Sequence, residues 1–130
     1  MALMKFREPN QVRWIGSRPG HNGTQILEDA RANNSAIRIY TTPADVTFFL
    51  CSLVLNLESV VAGVAYCRVY DDGGAAQYYI FERTVLAADP TMTIPFSFWP
   101  PMELPTDWSV RVGSNIAGLI LRGDIFGWIE

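Results

Sequence analysis

The chain has 130 residues, 49% apolar and 18% charged, with a formal net charge of −3. One domain of this length buries roughly two-thirds of its unfolded surface and needs neither disulfide nor metal to fold. The charged share lies below the roughly 25% usual in soluble domains, which fits a surface partly covered in an assembly, and no apolar run reaches the ~18 residues that span a membrane.

Residues 1–35 read as an irregular arm preceding a sandwich domain at 36–130. Turn formers punctuate the arm, in Glu8-Pro9-Asn10, Ser17-Arg18-Pro19-Gly20-His21-Asn22-Gly23 and Ala32-Asn33-Asn34-Ser35. Between them lie short extended pieces at Val12–Ile15 and Thr24–Leu27, and a helical turn is expected near Glu28–Ala32. Met1 to Met4 leads straight into charged residues, without the apolar stretch of a secretory signal. Reduced thiols in a cytoplasm are therefore expected for Cys51 and Cys67, and Asn22-Gly23-Thr24 and Asn33-Asn34-Ser35 read as loop chemistry rather than glycosylation sites.

Charge is uneven. Up to Arg38 there are six basic residues and three acids; beyond it there are four basic residues and ten acids. A basic arm on an acidic body suits docking on a neighbouring copy. The basic residues lack the dense clustering of a phosphate-binding surface, so nucleic acid is not the expected partner.

Strands then follow in series: Ile37–Thr41, the long apolar run Val46–Leu55, Val60–Tyr70, Gln77–Leu86, Met92–Phe98, Trp108–Val112 and about Ala117–Ile129. Asp71-Asp72-Gly73-Gly74 marks a hairpin, because glycine accepts positive φ. Pro95 cannot donate to a ladder and points to an edge strand or a bulge. Seven or eight strands with regular turn signals imply an all-β fold, an antiparallel sandwich of jelly-roll-like order.

The run from Val46 to Leu55 is apolar on both faces. Strict alternation puts Phe49, Cys51, Leu53 and Leu55 on one side and Val46, Phe48, Leu50 and Val54 on the other. One domain covers one side, so Phe48, Leu50 and Val54, or else the opposite side, are the expected oligomer interface. Closed symmetry is expected, with a homotrimer favoured by analogy with jelly-roll assemblies.

No catalytic pattern emerges. His21 is the single histidine and has no nucleophile or carboxylate at a diagnostic spacing. Asp71-Asp72 falls short of the six or more oxygens of a calcium site. Arg122-Gly123-Asp124 spells an integrin-binding tripeptide but sits inside an apolar strand. Neither catalytic residues, metal nor cofactor is expected. Tyr66, Tyr70, Tyr78, Tyr79, Phe81, Trp99, Trp108 and Trp128 are the aromatics that could stack on a carbohydrate, and Trp99, beside a proline-rich loop, is the best single candidate.

Two stretches resemble the small β-sandwich structural proteins of tailed phages and prophages, the head-decoration and tail-accessory type. Tyr40-Thr41-Thr42-Pro43-Ala44-Asp45-Val46-Thr47-Phe48-Phe49-Leu50 is similar to their Thr-x-Pro-Ala-Gly turn and following apolar strand, with Asp45 in place of the glycine. Trp108-Ser109-Val110-Arg111-Val112-Gly113-Ser114-Asn115, with Ile125-Phe126-Gly127-Trp128-Ile129-Glu130, is similar to their closing strands. The resemblance covers roughly the last ninety residues, within one domain. It implies a non-enzymatic virion structural or accessory protein, assembled in the bacterial cytoplasm with itself and other virion proteins. The alternative is a lectin-like carbohydrate-binding module.

Overall fold

The computed structural model describes residues 23–130; His21 and the arm up to residue 22 lie outside them. Eight strands follow one another: β1 (Thr24–Asn33), β2 (Ala36–Thr41), β3 (Phe48–Ser59), β4 (Gly63–Tyr70), β5 (Ala76–Val85), β6 (Met92–Leu104), β7 (Ser109–Ser114) and β8 (Ile120–Ile129). They form two four-stranded sheets, β1-β8-β3-β6 (sheet A) and β2-β7-β4-β5 (sheet B), with every pairing antiparallel. Partners nest: β1 with β8, β2 with β7, β3 with β6, β4 with β5. One long hairpin rolled on itself produces this order. The antiparallel sandwich expected from the turn spacing is present.

The core lies between the sheets. Leu53, Leu55 and Leu121 from sheet A meet Ala65, Cys67, Val110 and Val112 from sheet B, all fully enclosed. Each large apolar side chain buried there contributes about 1.5–3 kcal/mol. Gly123 lies at the centre of β8, where an added Cβ would come within 2.7 Å of both Ile39 and Val112. The Arg-Gly-Asp tripeptide is thus mid-strand, its glycine set by close approach of the facing sheet.

The face assignment of β3 requires correction. Register against β8 runs Leu50 to Gly127 and then Ser52 to Phe126, leaving Cys51 as an extra residue. This β-bulge reverses the alternation halfway along the strand. Phe48 and Leu50 before it, and Leu53, Leu55 and Leu57 after it, therefore all point into one core. Phe48 and Leu50 are completely enclosed within one chain and offer no surface to a neighbour. Of the expected interface only Val54 is on the outer side, half-buried.

The domain boundary also moves. β1 pairs with β8 along its whole length and is an edge strand of sheet A, so the sandwich begins at Thr24 rather than at residue 36. The expected helical turn at Glu28–Ala32 is strand. Small Ala30 and Ala32 face the core where a bulky apolar pattern would have announced a strand. β6 extends through the proline-rich stretch: four residues, Phe98 to Pro101, bulge out opposite Cys51. β6 is also an edge, where Pro95, Pro100 and Pro101 withhold the donors a foreign strand would need.

Candidate assembly surface on sheet B

Alternation along β4 turns Ala65, Cys67 and Val69 inward and Tyr66, Arg68 and Tyr70 outward. β7 places Arg111 and Gly113 on the same outer face, β2 adds Arg38, and β5 adds Tyr79 and Glu82. Pairing sets Arg38 opposite Arg111 and Arg111 opposite Arg68, so three guanidinium groups stand in one row across the sheet. Tyr79 closes the row on β5.

The rings hold the row in place. Arg68 lies 3.8 Å from the Tyr66 ring centre and 4.6 Å from that of Tyr79, and Arg111 lies 4.3 Å from that of Tyr70. Each stacked cation gains about 0.5–1 kcal/mol at such a site. Gly113 makes the arrangement possible: the Tyr66 ring lies over it, and a Cβ there would come within 2.3 Å of that ring. Arg111 Nε donates to Ser109 Oγ at 3.0 Å.

Charge on this face is not balanced. Like charges directly opposite each other are destabilising. The row's one ion pair among the described residues is Arg68 to Glu82, at 2.7 Å. Arg68 Nε is buried and meets no acceptor among the described residues. Burial raises the Tyr66 hydroxyl above its ordinary value, helped by Tyr70 and Glu82 and opposed by Arg68, so the ring stays neutral at physiological pH. The face is positively charged and aromatic. Tyrosine and arginine are the residues that carry binding energy at protein interfaces.

The outer face of sheet A differs. Leu27, 69% exposed, stands opposite Phe126, and Phe49 stacks on Trp128 with ring centres 5.0 Å apart. Beside this apolar strip, Arg122 bridges Asp29 at 2.9 Å and Asp124 at 3.2 Å, and Arg31 pairs with Glu58 at 2.8 Å. A surface recess lined by Asn56, Leu57, Glu58, Thr91, Met92 and Thr93 contains one carboxylate, already engaged by Arg31.

Trp99 projects from the β6 bulge, 70% exposed, and its bond to Pro100 is cis. Asp71 serves its own hairpin. Its carboxylate accepts from Gly73 N, Ala75 N and Gln77 Nε2 at 2.7–2.9 Å, and Gly74 adopts φ +84°. Asn33 and Asn34 tie the β1–β2 corner to the β7–β8 loop: Asn33 Oδ1 accepts from Gly118 N, and Asn34 N donates to Ser114 Oγ. Both cysteines are thiols, in opposite sheets, and burial pushes that of Cys67 up to about 12. No group of three or more metal-binding side chains occurs among the described residues, and none of their helices is long and apolar enough to cross a membrane.

Sequence reading named Tyr66, Tyr70 and Tyr79 among candidate aromatics but not the arginines between them. Tyr66-x-Arg68-x-Tyr70 and Ser109-x-Arg111-x-Gly113 are visible as single-face patterns, yet their alignment depends on the β4–β7 pairing, which joins residues 39 to 49 positions apart.

No protein-family model matches the chain, and no curated protein matches it. Among solved structures it is similar to a pentameric capsid protein isolated from metagenomic phage sequences, at 17% identity and a TM-score of 0.46. The match covers 80% of this chain and 59% of that one, so the chain spans about three-fifths of that protein's length.

Proposed function

We propose that the chain is a non-enzymatic structural or accessory protein of a phage or prophage particle, of the head-decoration or tail-accessory type, acting through closed homo-oligomeric assembly. One observation carries the assembly: sheet B presents Arg38, Arg68 and Arg111 in register among Tyr66, Tyr70 and Tyr79, an interface composition with too few carboxylates of its own. The phage assignment is supported by the resemblance of Tyr40–Leu50, Trp108–Asn115 and Ile125–Glu130. The nested strand order supports the jelly-roll-like reading. A trimer remains the favoured number, with other virion proteins as further partners and the bacterial cytoplasm as the site of assembly. Because Phe48 and Leu50 are enclosed, the interface lies on the outer faces, with Val54 alone kept from the expected set. Light scattering at micromolar concentration should give a closed multiple of the 14.5 kDa protomer; a stable monomer would remove the reading. Portal, capsid or tail genes alongside the coding sequence would support the particle assignment.

A second reading, carbohydrate binding, is favoured by the 70% exposure of Trp99. It predicts glycan-array hits that disappear in Trp99→Ala. An array without hits removes it.

A further inference from the structure

We infer that the arginine row on sheet B receives the acidic end of a second copy of this chain. This rests on the assembly reading above and names the partner of that same surface.

The sandwich has two unlike ends. Thr24 and Phe48 both lie opposite Ile129, and Phe48 also lies opposite Leu104. The starts of β1 and β3 and the finishes of β6 and β8 therefore share one end of sheet A. In sheet B, Ser109 lies opposite Thr41 and Tyr70, which gathers the finishes of β2 and β4 and the start of β7. The chain joins the two groups through residues 42–47 and 105–108, and two hydrogen bonds cross between them: Thr42 Oγ1 donates to Leu104 O at 3.2 Å and Thr106 Oγ1 to Val46 O at 2.9 Å. This end carries Asp45, Asp71, Asp72, Glu103, Asp107 and Glu130. Residues 42–47, 71–75, 103–108 and 129–130 include no lysine or arginine.

Among the described residues, a positive row short of partners and a negative end without cations thus coexist on one molecule. None of these six acids forms an ion pair with Arg38, Arg68 or Arg111 of its own chain among the described residues. The row lies two residues along β4 and β7 from that end, about 7 Å at strand spacing. Positive and negative patches therefore adjoin on one self-complementary surface, and each copy can present its end to the row of the next. A carboxylate arriving there would separate guanidinium groups that now repel one another, and would do so over tyrosine rings that exclude water. Charge complementarity also disfavours like patches meeting, which fixes orientation.

The test uses two charge reversals in the full chain, each at exposed or half-exposed positions. Arg38→Glu/Arg111→Glu makes the row acidic, and Asp72→Lys/Glu103→Lys makes the end less acidic and partly basic. Sedimentation velocity at about 0.05 M and about 0.5 M salt reads the outcome, since these salts differ several-fold in screening length. The wild type should assemble at low salt, and each variant alone should dissociate at least about tenfold more readily. An equimolar mixture of the two variants should reassemble, because each then offers the charge the other lacks; this recovery also shows that both are folded. A row variant that assembles like the wild type, in salt-insensitive fashion, overturns the inference and leaves the assembly reading in place. Loss on reversing the end, with none on reversing the row, assigns the acidic end to another cation, such as Lys5, Arg7, Arg13 or Arg18, and also overturns it. A wild type that is monomeric at both salts overturns the inference and the assembly reading together.

Discussion

Both outer faces of this sandwich set like charges opposite one another, but only one of them resolves the conflict. On sheet A, Arg31 lies opposite Arg122 and Asp29 opposite Asp124. The two rows are neighbours of opposite sign, and Arg122 reaches both aspartates. On sheet B, the row of Arg38, Arg111 and Arg68 is flanked by Ala36, Gly113 and Tyr66 on one side and Thr41, Ser109 and Tyr70 on the other. Among the described residues no row of carboxylates stands beside it, and Glu82 is its single ion-pair partner. Each face also leaves one guanidinium Nε buried without an acceptor among the described residues, Arg122 on A and Arg68 on B. The same local device is self-contained on one face and incomplete on the other. An incomplete charge pattern that is nonetheless held rigid by stacked rings is what a docking surface requires.

The largest expected effects test the β3 bulge, which decides what sheet A can show to solvent. Phe48→Ala and Leu53→Ala should each lower the free energy of unfolding in urea by about 3 kcal/mol. Val54→Ala, on the outer side, should cost less than about 1 kcal/mol. Without the bulge, Phe48 and Val54 would share a face and their costs would be alike.

Glycines sharpen the comparison between faces. At Gly127 an added Cβ would approach the Phe49 carbonyl oxygen to 2.1 Å, a backbone atom that cannot swing aside. Gly127→Ala should cost about 3 kcal/mol. At Gly113 the obstacle is the Tyr66 ring, which can rotate away. Gly113→Ala should cost about 1–2 kcal/mol while altering the near-ultraviolet circular dichroism of the displaced tyrosine.

Neutralising one arginine on each face should give opposite signs. Arg122→Met removes contacts to Asp29 and Asp124 and should lower the melting temperature at low salt. Arg111→Met relieves repulsion from Arg38 and Arg68, keeps the apolar stem on Tyr70, and should leave protomer melting unchanged or raised while weakening assembly. Salt should shrink both differences.

Smaller effects concern turns. Asp45 has φ +63°, the left-handed region that favours glycine. Asp45→Gly, the residue of the resembling proteins, should be tolerated and stabilise by up to about 1 kcal/mol in thermal melts. Asp71 is held below its ordinary 3.8, chiefly by the Ala75 amide and further by Gln77 and the Gly73 amide. A lowered folded value means that its stabilisation is complete above 3.8 and is lost as pH falls through the folded value. Asp71→Asn should flatten that acid limb of the melting-temperature profile.

Much of the architecture was legible because turns announce themselves. Asp71-Asp72-Gly73-Gly74 marks the β4–β5 hairpin, and Pro95 marks an edge strand that does carry a bulge. What stayed hidden was nonlocal or nearly silent. One extra residue at Cys51 reverses the side chains from Ser52 to Leu57, and nothing in Phe48-Phe49-Leu50-Cys51-Ser52-Leu53 distinguishes a bulge from plain alternation. It removes most of the apolar excess that strict alternation assigned to the outer side of that strand, leaving Phe49 and Val54 half-buried there. Thr24–Leu27 reads as extended, but the rest of β1 does not, because Ala30 and Ala32 line its core side there. The arginine row was out of reach, since β2, β7 and β4 come together only through the rolled strand order.

Sedimentation of the unmodified protein over a salt series tests the assembly account most directly. The expected result is a closed oligomer at low salt that dissociates progressively as ionic strength rises. A single 14.5 kDa species at every salt concentration would contradict it.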